Sequence, residues 1–277
     1  MLSRCLRALL FVPTVATALH AQSSKITTYV RYAVDGQTSY GRVVGTTVQQ
    51  LRAAPWLDST RTGRTTPLAR VTLLAPATPS KVIAVGLNYQ THLGERSAAT
   101  YPGLFAKFPT SIIAHDENIV LPPDANNAHY EGEMVIVIGK QASNVTVAEA
   151  KQYVFGITVG NDVSERDWQK SDGQWARAKG FDTSCPVGPW IETELDTSDL
   201  EITVTVDGEL RQTGRTSQMI FKIDEIVEYI SNTFTLLPGD IILTGTPSGV
   251  GLLPHGSEVS VTIEGLGTLT NKVVRNV

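Results

Sequence analysis

The chain has 277 residues, a formal charge of −4 and no basic block, which argues against nucleic acid as a partner. Its length suits one large domain, or a large domain with a small one, and can bury a sizeable core. The 23 glycines, with many Val, Ile and Thr residues, point to a β-rich protein with many turns.

The first residues read as a targeting segment. Arg4 and Arg7 precede an apolar run, Ala8 to Leu19, and Ala21 is a small residue at a cleavage position. The run is too short to span a membrane, which takes ~20 apolar residues, so no membrane partner is expected beyond the leader. Residues 1–21 are therefore assigned to a signal peptide and the mature protein to the periplasm or the exterior. A mitochondrial presequence, or a cytoplasmic protein with a plain N-terminal extension, is the alternative. Cleavage would leave Cys185 as the one remaining cysteine, expected to be a buried, inert thiol because no nearby histidine can activate it.

Residues 26–74 alternate in short runs and are expected to form a small β domain. "TTYVRYAVDG" and "TSYGRVVG" read as two strands joined at the turn pair Asp35-Gly36. The Pro- and Thr-rich passage Thr65 to Ser80 reads as a linker. A larger domain, residues 81–277, follows. "KVIAVGLNY", "EGEMVIVIGK" and "VFGITVGND" are core strands, and "LEITVTVDGELRQTG" is a hairpin turning at Asp207-Gly208. From Ile223 to Phe234 the residues Ile226, Val227, Ile230 and Phe234 share a helical stripe, with Asp224 and Glu225 at the N-terminal end. "SEVSVTIEGLGTLTNKVV" closes the chain as two more strands.

"HYEGEMVIVIGK" places Glu131 and Glu133 at the head of a core strand. Side chains at i and i+2 of a strand share a face, with Cα atoms roughly 6.5–7 Å apart. Gly132 between them permits a close approach by backbone or ligand. Buried carboxylates so placed need a counter-charge, a shared proton or a metal. "VFGITVGND" delivers a third acid, Asp162, at a strand end. Three oxygen ligands without Cys or His suit Mg²⁺ or Mn²⁺, with Ca²⁺ as a further fit, rather than Zn²⁺. A solvated strand mouth, its acids paired with Lys or Arg, accounts for the same spacing.

Other polar residues stand in unusual places. "GLNYQTHLGE" puts His92 and Glu95 three apart, so on a helical turn they share a face, either as a general base with its orienting carboxylate or as a surface ion pair. Arg166, Gln169 and Lys179 lie in a polar, Trp-rich stretch and are candidates to contact an anion, or else solvated surface residues. "TGTPSGVG" reads as a tight loop whose backbone N–H groups and Thr246 can hold an oxyanion, or as a plain turn.

Together these stretches resemble the fumarylacetoacetate hydrolase family. The resemblance runs from Lys81 to the C-terminus through "GLNYQTHLGE", "FAKFPTSIIAHDENIVLP", "HYEGEMVIVIGK", "GITVGNDVSERDWQ", "QWARAKGFDTSCPVGPW" and "LLPGDIILTGTPSGVG", in the family's order. The N-terminal "VRYAVDGQTSYGRVVG" is similar to the small domain of many members. The resemblance implies an α+β, β-rich fold: a mixed β-roll catalytic domain behind a small N-terminal β domain, usually as a homodimer. It implies Glu131, Glu133 and Asp162 as ligands of a divalent metal, and His92 and Glu95 as a water-activating pair. Gln169 and Lys179 fall on residues that position water and stabilise charge. Arg166 and Thr246 fall on positions meeting the substrate's carboxylate.

Glu165 departs from the pattern, standing where many relatives carry a small residue, and is expected to alter substrate preference. The implied activity is C–C bond hydrolysis of 2,4-dioxo acids such as acylpyruvates or fumarylpyruvate through a pyruvate enolate. Oxaloacetate decarboxylation and hydroxymuconate-type isomerisation or hydration are alternatives, and a non-catalytic 2-oxo-acid-binding protein is the alternative of another class. The stretch "RSAATYPGLFAKFP" after Glu95 is expected to form a lid in which Phe105, Lys107 and Phe108 contact substrate.

Overall fold

The computed structural model describes residues 26–275, so the assigned leader lies outside the described residues. Five strands open the chain: β1 (Thr27–Val34), β2 (Gln37–Val44), β3 (Thr47–Leu51), β4 (Arg61–Pro67) and β5 (Thr72–Leu74). β1 and β2 turn at Asp35 and Gly36, which have φ of 50° and 77°. Both values are left-handed, as a two-residue hairpin turn matching strand twist requires. The passage read as a linker carries regular structure in part: β4 ends in it at Pro67 and β5 lies within it. Threonines are good strand residues, and a Pro is tolerated at the end of an edge strand.

β6 (Val82–Gly86) and β7 (Gly103–Lys107) follow, then β8 (Ile112–Ile113), β9 (Asn118–Leu121) and β10 (Ala128–Tyr130). β11 (Gly132–Ile138) is buried along its whole length. After the short helix α1 (Val147–Ala150) come β12 (Val154–Asn161), β13 (Ser164–Glu165), α2 (Arg166–Ser171) and α3 (Ala176–Gly180). The remaining elements are β14 (Cys185–Thr193), β15 (Glu201–Val206), β16 (Glu209–Arg215), α4 (Ile223–Ser231), β17 (Ile241–Leu243), β18 (Gly251–Leu252), β19 (Glu258–Ile263) and β20 (Gly267–Arg275).

The largest sheet runs β4-β3-β2-β1-β14-β12-β11-β17-β6-β7, with β5 on β1 and β8 on β14. The N-terminal strands thus extend the same sheet through the β1–β14 pairing. A second sheet, β16-β15-β19-β20-β9, packs on it, and a small third sheet is β13-β10-β18. The fold is α+β and β-rich, as expected. Among the described residues no helix is long and apolar enough to cross a membrane.

The packing explains the glycine between the two glutamates. A Cβ on Gly132 would stand 2.4 Å from Val204 Cγ2 and 3.0 Å from Val261 Cγ1. One face of β11 is pressed by the second sheet, and alternation sends Glu131 and Glu133 the other way. On the sheet's flank α4 buries Ile226, Val227 and Ile230 against Ile83, Ile136 and Ile242. The expected stripe is one residue too long: Phe234 lies past the helix end and is 45% exposed. The backbone N–H of Lys222 donates to Glu225 Oε2 at 2.7 Å, capping the helix start.

Candidate active site

The carboxylates of Glu131, Glu133 and Asp162 each offer an oxygen within 4.8 Å of the others, and all three residues are buried. Strand pairing builds this cluster. Glu131 leads into β11 and Asp162 follows β12, and the two ends are tied by Asp162 N–H donating to Glu131 O at 2.9 Å. Glu131 N–H in turn donates to Asn161 Oδ1 at 2.9 Å.

Three cations face the three acids. Lys179 Nζ donates to Asp162 Oδ2 at 2.6 Å and to Glu131 Oε2 at 2.9 Å. Lys107 Nζ donates to Asp162 Oδ1 at 2.6 Å, and Arg166 pairs with the other oxygen of Glu131. Lys107 is fully buried on the edge strand β7, where it also donates to the carbonyl of Lys179. The lid expectation therefore fails for residues 103–107. They form a strand, and Lys107 turns inward as a counter-charge for Asp162 because that acid would otherwise stand partly uncompensated in the core. Phe108 is exposed.

The environment splits the two glutamates. Burial alone would raise the pKa of Glu131, but the Lys179 ammonium and the Arg166 guanidinium outweigh it and hold the carboxyl below its usual range. Glu133 has no such partner. Burial, then the Asp162 and Glu131 charges, push its pKa well above the ordinary value. Its one donor among the described residues is Gly245 N–H, at 2.6 Å. For Lys179, burial opposes the charge, yet Asp162 and Glu131 raise its pKa, so it stays protonated.

A cavity of about 500 Å³ opens over this cluster. His92, Phe105, Arg166, Gln169, Lys179 and Thr246 line it together with Glu131, Glu133 and Asp162. His92 ends a 3₁₀ turn (Gln90–His92) and is half-buried, and desolvation lowers its pKa, keeping the ring neutral near pH 7. Glu95 stands apart. It is exposed, lies outside the cavity lining and makes no hydrogen bond to His92. Gly94, with φ of 61°, ends the turn before Glu95 can stack one helical step above the histidine.

Two further side chains lie otherwise than expected. Glu165 does not face the cavity: its carboxylate accepts from Asn127 N–H at 2.8 Å and Trp168 N–H at 2.7 Å, capping α2. Its charge is held by backbone N–H groups away from the cavity, which argues against the expected effect on substrate preference. The Thr246 hydroxyl is already committed, donating to Gly132 O at 2.8 Å and accepting from Gln212 Nε2 at 3.0 Å. The "TGTPSGVG" loop does hold an anion through its backbone, but that anion is the Glu133 carboxylate.

Supporting residues escaped the sequence reading. Gln212 on β16 also accepts from Gly132 N–H at 3.1 Å, and so ties the loop to the start of β11. Asn88 donates to Thr244 O at 2.8 Å and to Phe221 O at 3.1 Å. Neither carries a sequence signal, since each reads as an ordinary polar residue. Cys185 is buried, and burial pushes its thiol up to about 12, consistent with an inert cysteine.

The donor set fits a hard divalent cation. Three buried carboxylate oxygens converge, no nitrogen or sulfur ligand stands among them, and Glu133 is left with one donor as though a cation were to complete it.

Comparison with known proteins agrees with this architecture. Residues 81–274 match the model of the fumarylacetoacetate (FAA) hydrolase C-terminal family, and residues 28–76 match an Rv2993c-like N-terminal family. The chain is 50% identical to Protein Rv2993c of Mycobacterium tuberculosis over 88% of its own length and 93% of that protein's. It is 44% identical to the mitochondrial oxaloacetate tautomerase Fahd2a of Rattus norvegicus, covering 75% of this chain and 71% of that one.

Among solved structures, a 2-hydroxyhepta-2,4-diene-1,7-dioate isomerase from Mycobacterium marinum superposes with a TM-score of 0.84 at 47% identity, over 90% of this chain and 99% of that one. A maleylpyruvate hydrolase from Sphingobium, determined with manganese(II) and pyruvate, has a TM-score of 0.75 at 28% identity, with 90% and 100% covered. The chain belongs to the fumarylacetoacetate hydrolase family.

Proposed function

We propose that this protein is a divalent-metal-dependent enzyme that moves protons on 2-oxo acids, interconverting keto and enol forms or shifting the adjoining double bond. The observation that carries this reading is the separation of His92 from Glu95. Hydrolysis needs a base oriented on water, whereas proton shuttling needs only a neutral base and a fixed positive charge facing one ligand. His92, held neutral by burial, and Lys179, held protonated by its acids, supply those two roles in one cavity. The names of the rat tautomerase and the mycobacterial isomerase support the same chemistry.

Glu131, Glu133 and Asp162 would hold the cation, Mg²⁺ or Mn²⁺. When bound, it would supply Lewis-acid stabilisation of the negative charge on the 2-oxo oxygen. Arg166 stands on the cavity wall beside Glu131, placed to meet a substrate carboxylate, and Gln169 accepts from Arg166 Nη1 at 2.8 Å, fixing that guanidinium. His92 accepts the proton leaving the substrate's carbon and, as the imidazolium, returns it to the enolate oxygen, or carries it the other way in the reverse reaction. Lys179 keeps a positive charge beside the developing enolate.

A second reading is C–C hydrolysis of 2,4-dioxo acids, with oxaloacetate decarboxylation as a relative of it. The structural likeness to the maleylpyruvate hydrolase favours it. The two separate in one experiment. Enol–keto conversion of oxaloacetate and cleavage of acetylpyruvate are followed by ultraviolet absorbance, with Mg²⁺ or Mn²⁺ and with EDTA. Metal-dependent tautomerisation that survives Glu95→Gln is expected. Acetylpyruvate cleavage that collapses in Glu95→Gln, with no acceleration of tautomerisation by the wild type, would transfer the assignment to the hydrolase.

A homodimer belongs to the same proposal, and light scattering in solution tests it. Export of the mature chain is likewise proposed, with mitochondrial import as the alternative that the rat relative's name supports. N-terminal sequencing of the mature protein decides between them.

A further inference from the structure

The active-site cavity has a counterpart at the other end of the central strands. β12 runs from Val154 to Asn161, one residue short of Asp162, so its two ends stand roughly 23 Å apart. At the Val154 end a second cavity, of about 640 Å³, opens between β12, the end of β14 and the start of α4. Ile157, Leu195, Met219 and Ile223 give it an apolar lining. It shares no lining residue with the active-site cavity.

The polar groups of this second cavity carry an excess of acid. Glu192 on β14 is 5% exposed. It pairs in register with Ile157 and with Thr28, and paired residues share a face of the sheet, so its side chain turns to the cavity beside Ile157. Oε1 accepts from Thr28 Oγ1 at 2.7 Å, and the buried Oε2 has no hydrogen-bond partner among the described residues. Burial raises the pKa of this carboxyl, with the Thr28 bond opposing. Glu194, Asp196 and Asp224 also line the cavity. Asp196 accepts from Ser198 N–H at 3.0 Å and has Lys151 nearby. The Glu194 and Asp224 side chains have no hydrogen bond or ion pair among the described residues. The other lining lysine, Lys222, is committed to backbone carbonyls: Nζ donates to Ser217 O at 2.8 Å and to Met219 O at 2.7 Å.

We propose that this second cavity binds a small organic cation, a primary ammonium carried on a short apolar chain. Glu192, Glu194 and Asp224 supply the counter-charge and the acceptors for its N–H groups, and the chain lies against Ile157, Leu195, Met219 and Ile223. A buried carboxyl with one oxygen unpartnered costs free energy, and a charged donor offsets that cost. A neutral alcohol of the same length covers the apolar lining and leaves the three acids without a counter-charge. A 2-oxo acid, the class proposed for the first cavity, is repelled by the same acids, so this site stands or falls independently of that reading.

The test is a methyl NMR titration of the Mg²⁺-loaded full chain, labelled at Ile, Leu and Met. Pentylammonium and 1-pentanol are compared, which differ in that a hydroxyl replaces the ammonium. Pentylammonium should shift the methyls of Ile157, Met219 and Ile223 and bind roughly tenfold more tightly than the alcohol at low ionic strength, the scale of a few partly exposed charge pairs. Added salt should shrink that preference. Glu192→Gln keeps an acceptor for Thr28 Oγ1 and should weaken pentylammonium binding several-fold. Glu194→Gln/Asp224→Asn removes two charges that hold no partner, so it leaves the fold intact and should also cut the preference. If Glu192→Gln does not fold, the double variant decides alone. Absence of shifts at these methyls, shifts confined to the active-site cavity, equal binding of the two probes by the wild type, or a preference unchanged in the folded variants overturns the proposal.

Discussion

Two buried carboxylates, Asp240 and Glu133, show what separates an acid kept for folding from one kept for a cation. Asp240 joins α4's exit to β17, and its oxygens are saturated. Oδ1 accepts from Ser80 N–H at 2.9 Å, Ser80 Oγ at 2.8 Å and Lys81 N–H at 3.1 Å. Oδ2 accepts from Leu237 N–H at 2.7 Å and pairs with the Lys81 ammonium. Glu133 is 2% exposed yet has one donor among the described residues, and two other carboxylates beside it. Asp240 lies outside any acidic cluster among the described residues, and its charge is answered by the Lys81 ammonium and four further donors. Glu133 is left partly unanswered, a cost to the metal-free fold that a bound cation removes.

The largest effect should come from Glu133→Gln. The amide keeps the acceptor for Gly245 N–H and removes the charge that Asp162 and Glu131 oppose. Metal-dependent turnover should fall by ~10³-fold or more, as expected when a charge-stabilising element of the site is lost. The metal-free variant should nonetheless melt above the metal-free wild type at pH 7. Calorimetric metal titration and thermal melting with EDTA check both arms. A variant that binds Mg²⁺ as tightly as wild type, or melts lower, would break the contrast with Asp240.

Next in size is His92→Ala, expected to cost ~10²–10⁴-fold in kcat, the usual range for a general base. The pH dependence sharpens it. Desolvation lowers the pKa of His92 in the folded protein, so the neutral base persists below the ordinary histidine value. Its contribution to stability is present above the unfolded value near 6.5 and is lost as pH falls through the lowered folded value. The acid limb of the wild-type rate profile should therefore lie below pH ~6.5. That limb should disappear in the residual rate of His92→Ala. A limb at or above the ordinary value would contradict a desolvated base.

Asp240→Asn should act in the opposite way to Glu133→Gln. An amide cannot accept from Leu237 N–H and Lys81 at one end while accepting from Ser80 at the other. With the amide oxygen facing Ser80, the Leu237 N–H, in a partly buried bond, loses its acceptor, at roughly 1–3 kcal/mol. The Lys81 side chain is 32% exposed, so the ion pair itself adds little. Lower denaturation midpoints with unchanged metal affinity are expected. A change in metal affinity would show that the two carboxylates are not independent.

The comparison also marks what the sequence could disclose. The period-2 spacing of Glu131 and Glu133 was legible because a strand has one geometry, and Asp162 because it ends a core strand. The hairpin turns at Asp35-Gly36 and Asp207-Gly208 were legible because few residue pairs adopt left-handed φ cheaply. Lys107 and Glu165 were misplaced because a charged residue's direction depends on distant partners: Lys107 meets Asp162 across 55 positions, and Glu165 meets Asn127 across 38. Gln212 reaches Gly132 from 80 positions away, and no local pattern encodes such a contact. The i, i+3 spacing of His92 and Glu95 predicts a shared face on a helical turn. Gly94 at positive φ ends that regularity, and the pair does not form.

The smallest effect should come from Gly132→Ala, and it tests whether the two faces of β11 are coupled. A new Cβ would stand 2.4 Å from Val204 Cγ2, so either the valine or the strand must shift. Overpacking of this kind costs roughly 1–3 kcal/mol. If the strand moves, Glu131 and Glu133 move with it, and metal affinity falls along with the melting temperature. If Val204 yields instead, stability falls alone. The Gly132→Ala/Val204→Ala double variant opens room on the second-sheet side. Recovery of both melting temperature and metal affinity in that variant would show that the apolar face of β11 sets the position of the acidic one. Recovery of stability without metal affinity would show that Gly132 N–H, through its bond to Gln212 Oε1 at 3.1 Å, must keep its own geometry for the cluster to form.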